Sequence, residues 1–401
     1  MSQPLKVEPD LQFIKRIKRQ GGDTVKKCFQ CATCSAVCDL SPEDNPFPRK
    51  EMLWAQWGLK DRLVSDPDVW LCHQCADCTV YCPRGAKPGD VLNAVRGAVI
   101  EENAFPRFMG AAVASPKALP LLILVAAAVI FGIMIMSGTK VLDAETGKYV
   151  KTGEWGFAVP VPQALPEGGF EGGYFGNFLS HGWIDPTFIL GNLLIFICVG
   201  MSMLRFWKSM KKAAGVTAGP SFVACVVDTA KEIAFHSTFK KCTTNKPRYL
   251  GHLLLFYGFV GAFITTGLAF LLILLGEEPP IPTLHPIKIL GNISFLLLFV
   301  GILMLIFRRV NDSEDKVGKG GYINTLFLTV LLIVVLTGGL SQVFRLAEAR
   351  VPAYTVYYIH LTSVFFLLWY APFSKFAHIF YRTMAIVFAR SIGRTQPEQV
   401  N

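Results

Sequence analysis

Cys28-Phe29-Gln30-Cys31-Ala32-Thr33-Cys34-Ser35-Ala36-Val37-Cys38 and Cys72-His73-Gln74-Cys75-Ala76-Asp77-Cys78-Thr79-Val80-Tyr81-Cys82-Pro83 repeat one spacing, Cys-x2-Cys-x2-Cys-x3-Cys. That spacing wraps thiolates around a cubane iron–sulfur cluster, and the second copy carries the terminal proline as well. Eight of the eleven cysteines lie in these two runs. A Cys-x2-Cys-x2-Cys turn offers three soft ligands, and in two-cluster proteins the other run donates the fourth. One cluster is therefore expected on Cys28, Cys31, Cys34 and Cys82, and the other on Cys72, Cys75, Cys78 and Cys38. Asp39, not proline, follows Cys38, a departure at the second cluster's fourth ligand. A pair of structural zinc sites competes, but zinc favours two separated Cys-x2-Cys pairs. His73 reads as a solvated or hydrogen-bonded residue. Cys198, Cys225 and Cys242 have no cysteine at ligand spacing and read as small apolar residues.

Outward from the runs, the chain changes character. Up to about Phe108 it is polar, charged and cysteine-rich; beyond Pro116 long apolar stretches alternate with short polar loops. We expect a cytoplasmic head at 1–110, a membrane body at 111–390 and a tail at 391–401. Met1 to Arg19 has no continuous apolar core, so no signal peptide is read, and a reducing compartment argues against disulfides. The formal charge of +10 sits beside apolar stretches, which points to membrane orientation and not to nucleic acid.

In the head, Leu11–Ile17, Arg49–Leu63 and Asp90–Glu102 have helical spacing of apolar residues, and no alternating strand pattern is present. The expected fold is all-α, a helical two-cluster domain followed by a bundle of about six transmembrane helices. The spans are Leu119–Ser137, Thr187–Trp207, Tyr249–Leu275, Ile287–Phe307, Tyr322–Phe344 and Tyr354–Tyr370. Each approaches or exceeds the ~20 apolar residues that cross the hydrocarbon. Arg205, Lys208, Lys211, Lys212, Arg308 and Arg309 lie in the basic loops, whereas Glu277 and Glu278 mark an opposite one. Basic loops stay inside, so both termini are expected in the cytoplasm. The Gly138–Pro186 loop reads as an extracytoplasmic connection. Pro220–Thr243 reads as a cytoplasmic stretch suited to an interfacial helix.

Histidine is a usual axial ligand of haem iron, and ionisable residues in spans point to function. His360 and His378 are 18 residues apart. An unbroken helix would put them on one face, ~27 Å apart, with Pro372 placed to bend it. His252, at the cytoplasmic start of the third span, is expected to pair with His378 across a b-type haem. For His360 the partner is expected to be His285, with His181 next; His236 is at the wrong depth.

The head resembles the C subunits of heterodisulfide reductases, through its cysteine runs with Pro48-Arg49-Lys50, Gly58-Leu59 and Trp70-Leu71-Cys72 between them. The body resembles the E subunits of those enzymes and the gamma subunit of respiratory nitrate reductase, through Tyr249-Leu250-Gly251-His252, His360 and Pro372-Phe373-Ser374-Lys375-Phe376-Ala377-His378. Fused, the halves are similar to the C-subunit family of quinone-interacting membrane-bound oxidoreductase complexes of sulfate reducers. That resemblance implies two [4Fe-4S] clusters, one or two haems b and menaquinol as donor. It implies two flavin- and iron–sulfur-containing partners like the A subunits of heterodisulfide reductases, and delivery toward adenylylsulfate reductase. Where the gamma subunit has a second histidine ten residues after the first, this chain has Ala262. Arg248, Arg345 and Lys375 are polar residues available to a quinone headgroup, although basic residues at helix ends are commonly interfacial anchors. Three other readings compete: a membrane component of a heterodisulfide reductase-type complex using methanophenazine, a non-enzymatic zinc-stabilised scaffold, and a redox sensor, which would need an output domain.

Overall fold

The computed structural model describes residues 8–43, 45–137, 140–142, 149–151, 175, 179, 181–214, 221–241, 246–277, 281–313, 318 and 320–394. Most of the Gly138–Pro186 loop, Cys242, Glu278 and most of the 391–401 tail lie outside these residues.

The head is built of short helices: α1 (Leu11–Ile17), α2 (Thr33–Ala36), α3 (Arg49–Trp57), α4 (Lys60–Val64), α5 (Asp68–Leu71), α6 (Asp77–Val80), α7 (Pro88–Asn103) and α8 (Arg107–Ala114). Asp10 caps α1, its side chain accepting from the Phe13 amide at 2.8 Å. The expected Arg49–Leu63 helix is two helices. Gly58 turns left-handed (φ +66°) and ends α3, and a Cβ there would stand 2.9 Å from the Asp10 carbonyl oxygen. The long helix α7 is the pillar of the head. Val91, Leu92, Ala94, Val95, Ala98 and Val99 are buried along it.

Among the described residues, six helices are long and apolar enough to cross a membrane. The first is α9 (Leu119–Ser137), extended to Pro116 by a 3-10 turn. Two three-residue strands, β1 (Lys140–Leu142) and β2 (Tyr149–Lys151), pair antiparallel after it. Next come α10 (His181–Ala214), α11 (Phe222–Phe235), α12 (Lys246–Leu274), α13 (Pro286–Asn311), α14 (Tyr322–Leu346), α15 (Arg350–Trp369) and α16 (His378–Ser391). Helix α10 starts six residues before the expected Thr187. Pro186 lies inside the helix as its sixth residue, where it cannot donate a hydrogen bond to the Gly182 carbonyl, and His181 Nδ1 meets Asp185 Oδ2 at 3.2 Å across one turn. Helix α11 occupies the stretch expected to lie at the interface. Phe222, Val223 and Phe235 are exposed on it, whereas Cys225, Thr229 and Glu232 are buried.

The expected continuity from His360 to His378 does not hold. Helix α15 ends at Trp369, and two 3-10 turns, Ala371–Phe373 and Lys375–Ala377, redirect the chain before α16 begins at His378. Pro372 cannot donate a helical hydrogen bond, and the Ser374 hydroxyl caps the new start by accepting from the Phe376 amide at 3.2 Å. Helix α16 therefore packs beneath the head. One apolar core joins Trp70, Leu92 and Val95 of the head to Met203 and Phe206 of α10 and Tyr381 and Ala385 of α16. Trp70 stacks on Tyr381 with ring centres 5.2 Å apart.

Candidate electron-transfer site

The two cysteine runs fold alike. Gln30 and Ala32 in the first, and Gln74 and Ala76 in the second, take positive φ (59°, 68°, 54° and 74°). Left-handed backbone at residues other than glycine is strained, and such strain concentrates at ligand clamps. Here it curls each run so that amides face sulfur. Gln30 N lies 3.4 Å from Cys28 Sγ, and Gln74 N lies 3.2 Å from Cys72 Sγ. Each curl then enters a one-turn helix, α2 or α6, that carries the third cysteine.

Cys28, Cys31, Cys34 and Cys82 line one small cavity, joined by Phe29, Arg49 and Arg84. Burial, then the neighbouring Cys28 and Cys82, push the Cys34 thiol up to about 11. Burial, then Cys72, push the Cys38 thiol up, with Cys75 acting in the same sense. Cys78 is raised by burial and by Cys72, Cys75 and Cys38. The structure thus gathers four thiols at one place and Cys38 beside Cys72, Cys75 and Cys78 at another. Buried thiols this crowded hold their protons against water and release them to a thiophilic metal, so both donor sets fit an iron–sulfur centre. The first set lies at the surface, with Cys31 exposed, Phe29 67 % and Tyr81 60 % exposed, and Arg84 stacked 4.0 Å over Phe29. The second set is turned inward, toward the membrane helices.

Three guanidinium groups hold that second run. Arg96 donates from α7 to the carbonyls of Val69, at 2.8 Å, and Cys72. Arg248, at the head of α12, donates to the carbonyls of His73, at 2.9 Å, and Gln74. Arg382, on α16, donates to the Cys72 carbonyl at 3.1 Å and to His73 Nε2. Burial first, then Arg382 and Arg248, push the His73 imidazole well below its usual range, so the neutral ring accepts.

Arg248 and His252 are four residues apart on α12, and His378 and Arg382 are four apart on α16. That spacing puts arginine and histidine on one helix face. The two histidines face one another with ring centres 6.3 Å apart. Two imidazoles sharing one metal through bonds of about 2 Å stand about 6 Å apart, centre to centre. His378 Nδ1 lies 2.7 Å from the Lys375 carbonyl oxygen, and His252 Nδ1 lies 3.0 Å from His236 Nε2. An Nδ1–H spent this way leaves Nε2 unprotonated for a metal. His252 and His378 are therefore the residues that would hold a metal centre such as a haem iron between them. His236, set aside from the sequence as too distant from His360, sits against His252.

His360 uses the same device, Nδ1 lying 3.1 Å from the Val334 carbonyl oxygen and 3.1 Å from Thr337 Oγ1. It stands halfway along α15, with Gly338 of α14 leaving room beside the ring. His285 is the N-cap of α13, its Nδ1 accepting from the Ile287 amide at 3.3 Å. Ten residues into a helix is about 15 Å of depth. No hydrogen bond or ring contact joins His285 to His360 among the described residues, and His181 is paired with Asp185. The expected His285–His360 pair is therefore not brought together. The hold of Arg96, Arg248 and Arg382 on the second run was not read from the sequence; for Arg248 and Arg382 the spacing of four from His252 and His378 was the available signal.

The family model described as citrate utilization protein B matches residues 158–399, well over half of the chain. The chain belongs to the citrate utilization protein B (CitB) family. A second model, the 4Fe-4S dicluster domain, matches residues 24–86, which hold both cysteine runs. The head of this CitB-family chain is also similar to curated proteins. The C subunit of the hydrogen-dependent CoB-CoM heterodisulfide,ferredoxin reductase of Methanothermobacter marburgensis is 40% identical over 88 residues, 22% of this chain and 47% of that protein. A protein of Archaeoglobus profundus described as like the heterodisulfide reductase C subunit is 36% identical over 89 residues, 22% and 47% of the two chains. The iron–sulfur C subunit of the CoB–CoM heterodisulfide reductase of Methanopyrus kandleri is 34% identical over 73 residues, 18% and 38%. The CitB-family chain thus spans about half or less of the length of the curated relatives it matches. No solved structure matches. These relatives are subunits of oxidoreductase complexes, and the dicluster domain marks the head as an iron–sulfur electron carrier.

Proposed function

We propose that the chain is the quinone-reactive electron-transfer subunit of a multi-subunit oxidoreductase in the cytoplasmic membrane, both termini facing the cytoplasm. Its donor is menaquinol, which yields two electrons and two protons on oxidation. Its acceptors are two flavin- and iron–sulfur-containing cytoplasmic proteins like the A subunits of heterodisulfide reductases. Adenylylsulfate reductase and dissimilatory sulfate reduction lie beyond them. When bound, two [4Fe-4S] clusters and a b-type haem would supply one-electron steps linking a two-electron lipid donor to two-electron flavin chemistry.

The placement of the chain's own residues supports an order for the path. Cys72, Cys75, Cys78 and Cys38 would hold the inner cluster, and Cys28, Cys31, Cys34 and Cys82 the outer one. His252 and His378 would hold the haem, with His236 and the Lys375 carbonyl orienting them. Arg248 and Arg382 place positive charge between the two sites. The outer set, with Cys31, Phe29 and Tyr81 exposed, is where a soluble partner can approach.

One observation carries the reading: the two helices that oppose His252 and His378 also grip the second cysteine run, through Arg248 and Arg382. A lipid-side centre and a cytoplasmic centre are thereby held by the same pair of helices. Optical and EPR spectra of the purified chain, before and after menadiol, test it. Reducible b-type bands and two cubane signals are expected; a colourless zinc protein would remove the reading.

The relatives are subunits of heterodisulfide reductases, and a second reading places the same path in a complex of that type, with methanophenazine as our suggestion for its lipid donor. The lipid carrier that co-purifies with the native complex separates the two.

A further inference from the structure

We infer that the cavity between head and membrane body binds the headgroup of the lipid quinone, on the cytoplasmic side and next to both proposed redox centres. This rests on the reading above that a quinone is the donor; it adds the place.

The cavity has a volume of about 610 Å³, within the range of small-molecule sites. It is bounded by α1 and α7 of the head, the start of α14, and the turn that carries Lys375 and His378. Three of its lining residues have buried polar atoms without a hydrogen-bond partner among the described residues: Trp70 Nε1, Tyr322 OH and Gln20 Oε1. Buried polar atoms are nearly always satisfied, so three around one cavity point to a ligand that satisfies them. Two are donors and one is an acceptor. A carboxylate would answer only donors; a quinone headgroup, carbonyl when oxidised and hydroxyl when reduced, answers both kinds.

The charges agree. Arg16 is paired with Glu101 at 3.2 Å and Glu102 at 3.0 Å. Arg96 is spent on backbone carbonyls, and Lys375 donates to Asn93 Oδ1. Arg19 also lines the cavity, so cations outnumber the single lining acid, Glu101, and favour an electron-rich oxygen. One wall is made by Ala111, Ala114, Ser115 and Pro116, where the chain enters its first span. An isoprenoid tail leaving the cavity past these small residues would enter lipid where the first span begins. On the far wall, His378 and Trp70 border the haem-type pair and the second cysteine run respectively.

The test titrates the full-length detergent-purified chain with the fluorescent quinone analogue heptyl-hydroxyquinoline N-oxide. Iron content and visible bands are measured on every sample. Wild type is expected to bind at one site. Tyr322→Phe and Gln20→Leu should each weaken binding about 5- to 10-fold, one hydrogen bond's worth, and Ala114→Trp should abolish it by filling the cavity, all with iron and visible bands unchanged. Binding by wild type that none of the three variants alters would overturn the site alone and leave the donor assignment standing. Binding lost together with the haem bands would also overturn it, because the cavity would then house the haem's own carboxylates. A wild-type chain that carries both kinds of centre yet binds no analogue would sink the quinone reading itself.

Discussion

Arg382 Nη2 lies 2.6 Å from His73 Nε2, so α16 is tied to the interior of the second cysteine run. Arg382→Gln removes a buried charge-assisted bond of about 1.5–3 kcal/mol and a cation near the inner thiolates. Cluster potentials follow local charge and hydrogen bonding. The inner cluster should become harder to reduce in an EPR-monitored redox titration, and the outer one should not move. Equal shifts at both would show that the arginine acts through the whole head.

If ligands cross between the runs as proposed, losses should come in pairs. Cys38→Ala should empty the inner site and Cys82→Ala the outer one, although each residue belongs to the opposite run. Each should halve the bound iron and remove one of two EPR signals. If Cys38→Ala and Cys34→Ala remove the same signal, the runs do not cross.

The histidines separate cleanly by their hydrogen bonds. His252→Ala and His378→Ala should each abolish the haem bands, whereas His285→Ala, which removes only a helix cap worth about 1 kcal/mol, should leave them. His236→Ala should retain haem with altered bands, because it releases the His252 ring. Loss of haem in His285→Ala would restore the outer pair expected from the sequence.

A Cβ on Gly191 would fall 1.7 Å from the Trp369 ring. Gly191→Val therefore forces α10 and α15 apart. Overpacking of this kind costs about 1–3 kcal/mol. A lower thermal midpoint in detergent is expected, while Gly200→Ala, with open space around it, should be neutral.

Within the head, Glu51, Asp66 and Asp68 are buried together, near Lys50 and Arg394. Burial first, then Asp66, push the Asp68 carboxyl up to about 6, and Glu51 is raised well above its usual range for the same reasons. An acid raised by folding holds its proton better in the native state. Stability is full below the unfolded value of about 4 and falls as pH rises through the folded one. Between pH 5 and 8 the thermal midpoint should drop, and Glu51→Gln should drop less. A steeper fall in the variant would mean that Glu51 is held ionised.

The two cysteine runs and the six spans were legible because they depend on local spacing: three thiols in one turn, and about twenty apolar residues in a row. The helical head was legible through Leu11–Ile17 and the periodicity around Val91 and Val95. What could not be read was relative placement. Pro372 marks a bend, but its size depends on the Ser374 cap and on where α16 finds a partner. Arg248 looks like an anchor, and Arg382 like a charge at a helix end, until the His73 and Cys72 carbonyls are seen beside them. His236 joins His252 only because α11 folds back against α16, a tertiary event without a sequence period.

The shared core has a practical meaning for anyone who would cut this protein in two. Trp70 lies on Tyr381, and Leu92 and Val95 share their burial with Met203 and Phe206. A protease acting between 110 and 116 would sever the backbone without freeing a water-soluble fragment. An excised N-terminal piece would bare the greasy underside that α10 and α16 now cover, and it would clump or cling to lipid. The wire and its socket are one molded part.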